Sequence, residues 1–304
     1  MKQNIIILLL LLTLVGCKED VDEFEPYVET AIAFPEVVDL KPIYKQFNAE
    51  EDSRIDLGGG EVLRFPANSL ENRNGQTLTG KIDLSITQIR KKADLIYAYM
   101  NSNIGRLDMG QINNYHVIHI KAYQNTQEVF MRSGKSFTLK SPTNQSVAGG
   151  HLWQGLAYTP NDFGWEKGES SVSASSWEVG GSGYSGVSYD ADRLGWLSGA
   201  QAFGGTGYSL CVSLTEGLDA GKTKVYFVFD DAFSVAELKI LSDTQIFCGT
   251  IPSGSKGHLI VINEEEPGVY RYQNESLTIT EDKEFSAQPR ITVLENIILS
   301  LNAL

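Results

Sequence analysis

At 304 residues, with 42% hydrophobic and 10% aromatic content, the chain has the make-up of a globular protein long enough to bury a sizeable core. Its formal charge of −13 and its lack of any basic stripe exclude nucleic acid, and anionic lipid headgroups, as partners held by general electrostatics.

Met1 to Asn4 carry one charge, Lys2, and Ile5 to Val15 form an apolar run broken only by Thr13, the layout of a secretory signal over 1–16. A helix rising ~1.5 Å per residue needs ~20 residues to cross the hydrocarbon core, so this run is too short for a span. It ends in Leu14-Val15-Gly16-Cys17, which resembles the lipobox of bacterial lipoproteins and implies acyl chains on Cys17 as the contact with the membrane. Two or more chains, at ~0.8 kcal/mol per buried methylene, hold a protein there stably. Lys18, Glu19 and Asp20 open a stretch to Glu25 in which five of eight residues are acidic. By charge density this is a solvated tether, leading into the fold over 17–50. It also resembles the lysine-plus-acidic export signal of Bacteroidota surface lipoproteins, and that resemblance implies display on the outer face of the outer membrane.

From residue 51 the pattern is β. Lys81-Ile82-Asp83-Leu84-Ser85-Ile86-Thr87 alternates strictly, setting Ile82, Leu84 and Ile86 on one face of a half-buried strand. Short runs recur at Val62 to Phe65, Tyr115 to Tyr123, Ser136 to Leu139, Leu210 to Leu214, Val225 to Phe229, Leu259 to Ile262 and Leu277 to Thr280. Turn signals such as Asn74-Gly75, Ser133-Gly134 and Pro252-Ser253-Gly254 separate them. This pattern predicts an all-β fold of two β-sandwich domains in tandem, at 51–160 and 187–304. The stretch 161–186 is thick in Gly and Ser yet carries Trp165 and Trp177. Flexible linkers seldom contain tryptophan, so irregular structure packed at a domain junction is expected there. Near the end, Leu294, Ile297, Ile298 and Leu301 recur at helical spacing and predict a short C-terminal helix against the second sandwich. Cys211 and Cys248 each lie in a strand-like run of a chain bound for an oxidising compartment; a disulfide and two buried thiols both fit.

Gly58-Gly59-Gly60-Glu61-Val62-Leu63-Arg64-Phe65-Pro66-Ala67, followed by Gly80-Lys81-Ile82-Asp83-Leu84, resembles the opening of ZU5-like domains. The combination is similar to a group of Bacteroidota lipoproteins that carry a ZU5-like or carboxypeptidase-regulatory-like β-sandwich behind the anchor. Asp192-Arg193-Leu194-Gly195-Trp196-Leu197 matches a further segment of that group, with Ser198 and Gly199 standing where a polar pair is expected. The resemblance implies a fold and a leaning toward association, and no activity.

Motifs for chemistry are sparse. His116 and His119 are three apart, and on a strand such residues point to opposite faces, so no zinc pair follows. Ser133-Gly134-Lys135-Ser136 ends like a P-loop, but Val129 stands where the first glycine belongs, which leaves a hairpin turn. Neither a Gly-x-Ser-x-Gly elbow nor a His-Glu-x-x-His helix occurs. No cofactor is expected, and the chain is not expected to be an enzyme. Asp190 and Asp192 share a strand face and are a weak calcium candidate, with solvated charge the better account. Trp153, Trp165, Trp177 and Trp196 are candidate ligand-stacking residues, although filling a domain interface explains them better. The reading is an outer-membrane-anchored lipoprotein acting as a non-catalytic binding or scaffolding module at the cell surface, its partner an envelope protein or a glycan. The alternatives are a carbohydrate-binding lipoprotein of a glycan uptake system and, more weakly, a hydrolase whose site is not contiguous in sequence.

Overall fold

The computed structural model describes residues 40–106, 110–159, 162–241 and 244–304. The signal peptide, Cys17 and the export residues Lys18, Glu19 and Asp20 lie outside the described residues. Within them the chain is mostly strand, arranged as tandem β-sandwiches with a short C-terminal helix. No helix among the described residues is long and apolar enough to cross a membrane.

The first sandwich pairs a seven-stranded with a five-stranded sheet. The seven-stranded sheet runs in the order Ile43–Asn48, Lys81–Ile89, Ile112–Gln124, Gly195–Ala202, His151–Thr159, Asp162–Ser171, with Gln127–Glu128 appended. The five-stranded sheet runs Ser173–Val179, Ser182–Ala191, Phe137–Pro142, Glu61–Phe65, Ser53–Gly58. Alternation places the core: Ile82, Leu84 and Ile86 are buried while Lys81 and Asp83 face water. They meet Leu63, Phe65, Phe137, Leu139 and Val187 from the facing sheet.

The sheets divide later than the sequence suggests. Most of the expected junction is strand, in Asp162–Ser171, Ser173–Val179 and the start of Ser182–Ala191, and Gly195–Ala202 sits in the middle of the seven-stranded sheet, between Ile112–Gln124 and His151–Thr159. What resembles a linker is a hairpin: Gly180 and Gly181 both have positive φ, 56° and 81°, and Val179 pairs with Ser182 across them. Two central residues with φ > 0 make the type I′ turn that matches strand twist, and glycine is what such a turn selects. The change of sheet occurs at Val172, a buried residue between two strands.

The second sandwich is one eight-stranded sheet in the order Lys283–Ala287, Gly207–Leu214, Ile246–Pro252, Val235–Ile240, Thr223–Phe229, Lys256–Glu266, Val269–Thr278, Arg290–Thr292. It buries Leu210, Val212, Phe227, Phe247, Leu259 and Val261 in one cluster. Cys211 lies opposite Cys248 on neighbouring antiparallel strands, and a disulfide joins them with Cα atoms 4.2 Å apart.

A third apolar cluster fuses the two halves. Val117, Trp153 and Trp165 from the seven-stranded sheet meet Tyr226, Val228, Ile260 and Ile262 from the second sandwich. Strand Thr223–Phe229 is therefore apolar on both faces, which its run Val225-Tyr226-Phe227-Val228-Phe229 expresses. Two short helices, Lys92–Tyr97 and Leu294–Asn302, complete the seam through Leu95, Ile96, Ile297 and Leu301. A polar strap at 101–105 crosses it: Trp165 Nε1 donates to Asn101 O at 2.7 Å, and Asn103 Nδ2 donates to Glu237 O at 2.7 Å. Lys224 and Lys239 donate to the Glu237 carboxylate at 2.9 and 2.8 Å and, against the cost of burial, hold it ionised below its ordinary pKa.

Candidate functional site

The tryptophans offer little open surface. Trp153 and Trp165 belong to the seam core. Trp177 is buried on the five-stranded sheet, where Nε1 donates to Gly60 O at 2.7 Å and Lys140 Nζ stands 5.8 Å from the ring. Trp196 is half-buried and stacks on His119, with ring centroids 4.3 Å apart. Domain-interface packing thus accounts for Trp153 and Trp165. Asp190 accepts from Thr138 Oγ1 at 2.7 Å, whereas Asp192 accepts from Gln154 at 3.3 Å. Among the described residues no three His, Cys, Asp or Glu side chains converge as a metal site.

A different set of residues does converge. Glu61, Tyr115, His116 and Ser141 line a cleft of about 240 Å³ together with Arg90 and Phe233. Strand phase explains the gathering. Glu61 is in phase with Leu63 and Phe65, Ser141 with Phe137 and Leu139, and His116 with Ile118 and Ile120, so each is a polar residue aimed inward. The neighbouring strands place Val62 opposite Lys140, which brings Glu61 beside Ser141. His116 enters from the facing sheet.

Ser141 Oγ donates to Glu61 Oε1 at 2.8 Å, and Arg90 Nη2 stands 3.6 Å from Glu61 Oε2 at the mouth. Burial pushes the Glu61 carboxyl above its ordinary value, while Ser141 and Arg90 partly offset that. His116 Nε2 lies 2.8 Å from the Tyr189 hydroxyl, and burial drives its pKa down to about 3, so the ring is neutral at pH 7. Two glycines make the packing behind the cleft feasible. A Cβ on Gly150 would lie 2.9 Å from the Tyr115 ring, and one on Gly199 2.9 Å from Tyr189. The Ser198-Gly199 pair follows from this: Gly199 admits Tyr189, and buried Ser198 donates to Asn114 Oδ1 at 2.7 Å.

Glu61, Tyr115 and His116 are 8%, 6% and 5% exposed, yet Glu61 Oε2, the Tyr115 hydroxyl and His116 Nδ1 make no hydrogen bond within the protein. Glu61 Oε2 has the Arg90 ion pair; a buried polar atom left unpaired costs about 1–3 kcal/mol, and the Tyr115 hydroxyl and His116 Nδ1 are two to explain. A second recess of about 590 Å³ shares Arg90 and Phe233 with the cleft and runs past Lys91, Lys92, Asp230 and Asp231.

None of these cleft residues except His116 stands out when motifs are sought, because they come from five separate segments. One signal was present in the sequence: an acidic residue at an inward strand phase, as Glu61 is before Leu63 and Phe65. No family model matches the chain, and no curated protein matches it. Among solved structures it is similar to the Bacillus anthracis TIE protein, at 8% identity and a TM-score of 0.20, over 83% of this chain and 41% of that one, a likeness too slight to carry an argument.

Proposed function

We propose that the chain is a lipid-anchored, non-catalytic binding module of the cell envelope, held by acyl chains on Cys17 and displayed at the surface, with the Glu61–His116 cleft as its ligand site. The observation that carries the binding role is a pair of buried polar atoms without a partner, the Tyr115 hydroxyl and His116 Nδ1, on residues lining one cleft. Binding is favoured over acyl transfer because the hydrogen bonds run from Ser141 to Glu61 and between His116 and Tyr189. Neither makes the serine–histidine link that activates a nucleophile. The anchor rests on the sequence from Met1 to Glu25.

Labelled palmitate fed to the native host should enter the wild-type chain and be absent from Cys17→Ser; label retained in the variant refutes the anchor. Protease added to intact cells should degrade the protein, and survival until the outer membrane is broken refutes surface display. For the cleft, any small molecule that raises the thermal midpoint of the full chain should lose that effect in Tyr115→Phe. Ligands indifferent to the substitution would move the binding role elsewhere.

A further inference from the structure

We propose that the side chains of Lys239 and Asn101 join in an amide bond, a crosslink that the folded chain makes in itself across the seam, independently of the cleft. It starts from one oxygen. Glu237 Oε2 accepts from Lys239 Nζ at 2.8 Å and from Asn101 Nδ2 at 2.9 Å, so a single carboxylate oxygen touches an amine and the nitrogen of an amide. A carboxylate placed there carries a proton from the first to the second.

The amide is held for attack. Asn101 is fully buried, and its side chain fits only one way round: Nδ2 faces two acceptors, Glu237 Oε2 and Phe163 O, while Oδ1 accepts from the Asn103 backbone N–H at 2.9 Å. That N–H stands where an oxyanion needs a donor. Trp165 Nε1 on Asn101 O, and the bonds between the Asn103 side chain and the Glu237 backbone, fix the strap against strand Val235–Ile240. Such orientation turns an encounter in solution into a reaction between neighbours. Burial also excludes the water that would hydrolyse the amide.

Charge favours the product. Lys224, Lys239 and Arg106 share two carboxylates, Glu237 and Asp162. Once Lys239 is an amide, Lys224 keeps Glu237 and Arg106 keeps Asp162, with no charge of this cluster left over. Before that, burial lowers the Lys239 pKa, but Glu237 and Asp162 outweigh it and hold the ammonium above its ordinary value. The free amine is therefore scarce and the reaction slow.

The step balances without a co-reactant. Oε2 takes a proton from the Lys239 ammonium, and the Nζ lone pair attacks Asn101 Cγ, forming the Nζ–Cγ bond and an oxyanion on Oδ1. Oε2 then hands its proton to Nδ2 and takes a second from Nζ. The oxyanion pair re-forms the carbonyl, the Cγ–Nδ2 bond breaks, and ammonia departs with that second proton as ammonium. Glu237 ends ionised, as it began.

The test is peptide mapping by mass spectrometry on the full chain isolated from its host, left folded in alkaline buffer to free the amine, then reduced and digested with trypsin, which does not cut after an acylated lysine. Wild type should yield a branched product in which 93–106, carrying Asn101, is joined to 225–256, uncut at Lys239. Its mass should be that of the two pieces less one ammonia. Lys224→Arg should still form the branch. Lys239→Arg, which keeps a cation between Glu237 and Asp162, should give linear peptides only, unfold in one cooperative transition and melt below wild type. Linear 93–106 and 225–239 alone from wild type overturn the proposal. Ammonia loss without a branched product overturns it too, and assigns the loss to a succinimide at the Asn74-Gly75 turn. A branch that persists in Lys239→Arg, or that forms at the wild-type level in Glu237→Gln, also overturns it.

Discussion

His116 and His119 sit on one strand with side chains on opposite faces, and both are held neutral. Burial lowers the first to about 3; burial, with Lys121 adding to it, lowers the second to about 4. In the unfolded chain each titrates near 6.5. As pH falls, the unfolded state therefore takes up protons first, so the stability tied to neutral histidine is complete above 6.5 and drains away toward the folded values. Glu61 acts with the opposite sign, since its folded pKa lies above the 4.5 of the unfolded state and its contribution is lost as pH rises through the folded value. Urea unfolding followed from pH 7 to pH 4 should show a falling midpoint, with a shallower fall in His116→Gln. A wild-type midpoint that stays level from pH 7 to pH 5 contradicts neutral burial. The strand positions of both histidines were legible from Val117, Ile118 and Ile120. The tyrosine that satisfies His116 was not, because Tyr189 is 73 residues away.

At the scale of elements, local pattern predicted what local physics controls. The alternating Ile82, Leu84 and Ile86 form the expected strand, and the C-terminal helix runs Leu294–Asn302 with Ile297 and Leu301 buried. The helix Lys92–Tyr97 escaped notice because six residues are too few to establish a period; Asp94, accepting from the Lys91 amide at 3.1 Å, caps its start. Gly180-Gly181 reads equally as linker or as I′ turn until the flanking strands are known to pair. The Cys211–Cys248 bond closes a 37-residue separation. Chain-entropy reasoning assigns such a crosslink about 4 kcal/mol. Replacing both cysteines by serine should lower the urea-derived stability by that order; a loss under ~1 kcal/mol would falsify the assignment of the bridge as a structural staple.

Across the whole molecule, the seam cluster couples the two sandwiches. Trp165 is fully buried between them and its Nε1 holds the strap at Asn101. Thermal unfolding should accordingly be a single cooperative transition, and Trp165→Ala should cost about 3–5 kcal/mol while beginning to separate the halves. Two resolved transitions in the wild type would mean that the seam contributes little. By itself the sequence determined the all-β class, several of the strands and the C-terminal helix, all of which depend on residues within a few positions of one another. Only the tertiary structure decided that 162–202 belongs to the first sandwich, that Trp153 and Trp165 fill a seam, and that the inward polar residues meet in one cleft. Those outcomes depend on which strands pair, and pairing is set by burial and register between segments far apart in the chain, where no local period carries the information.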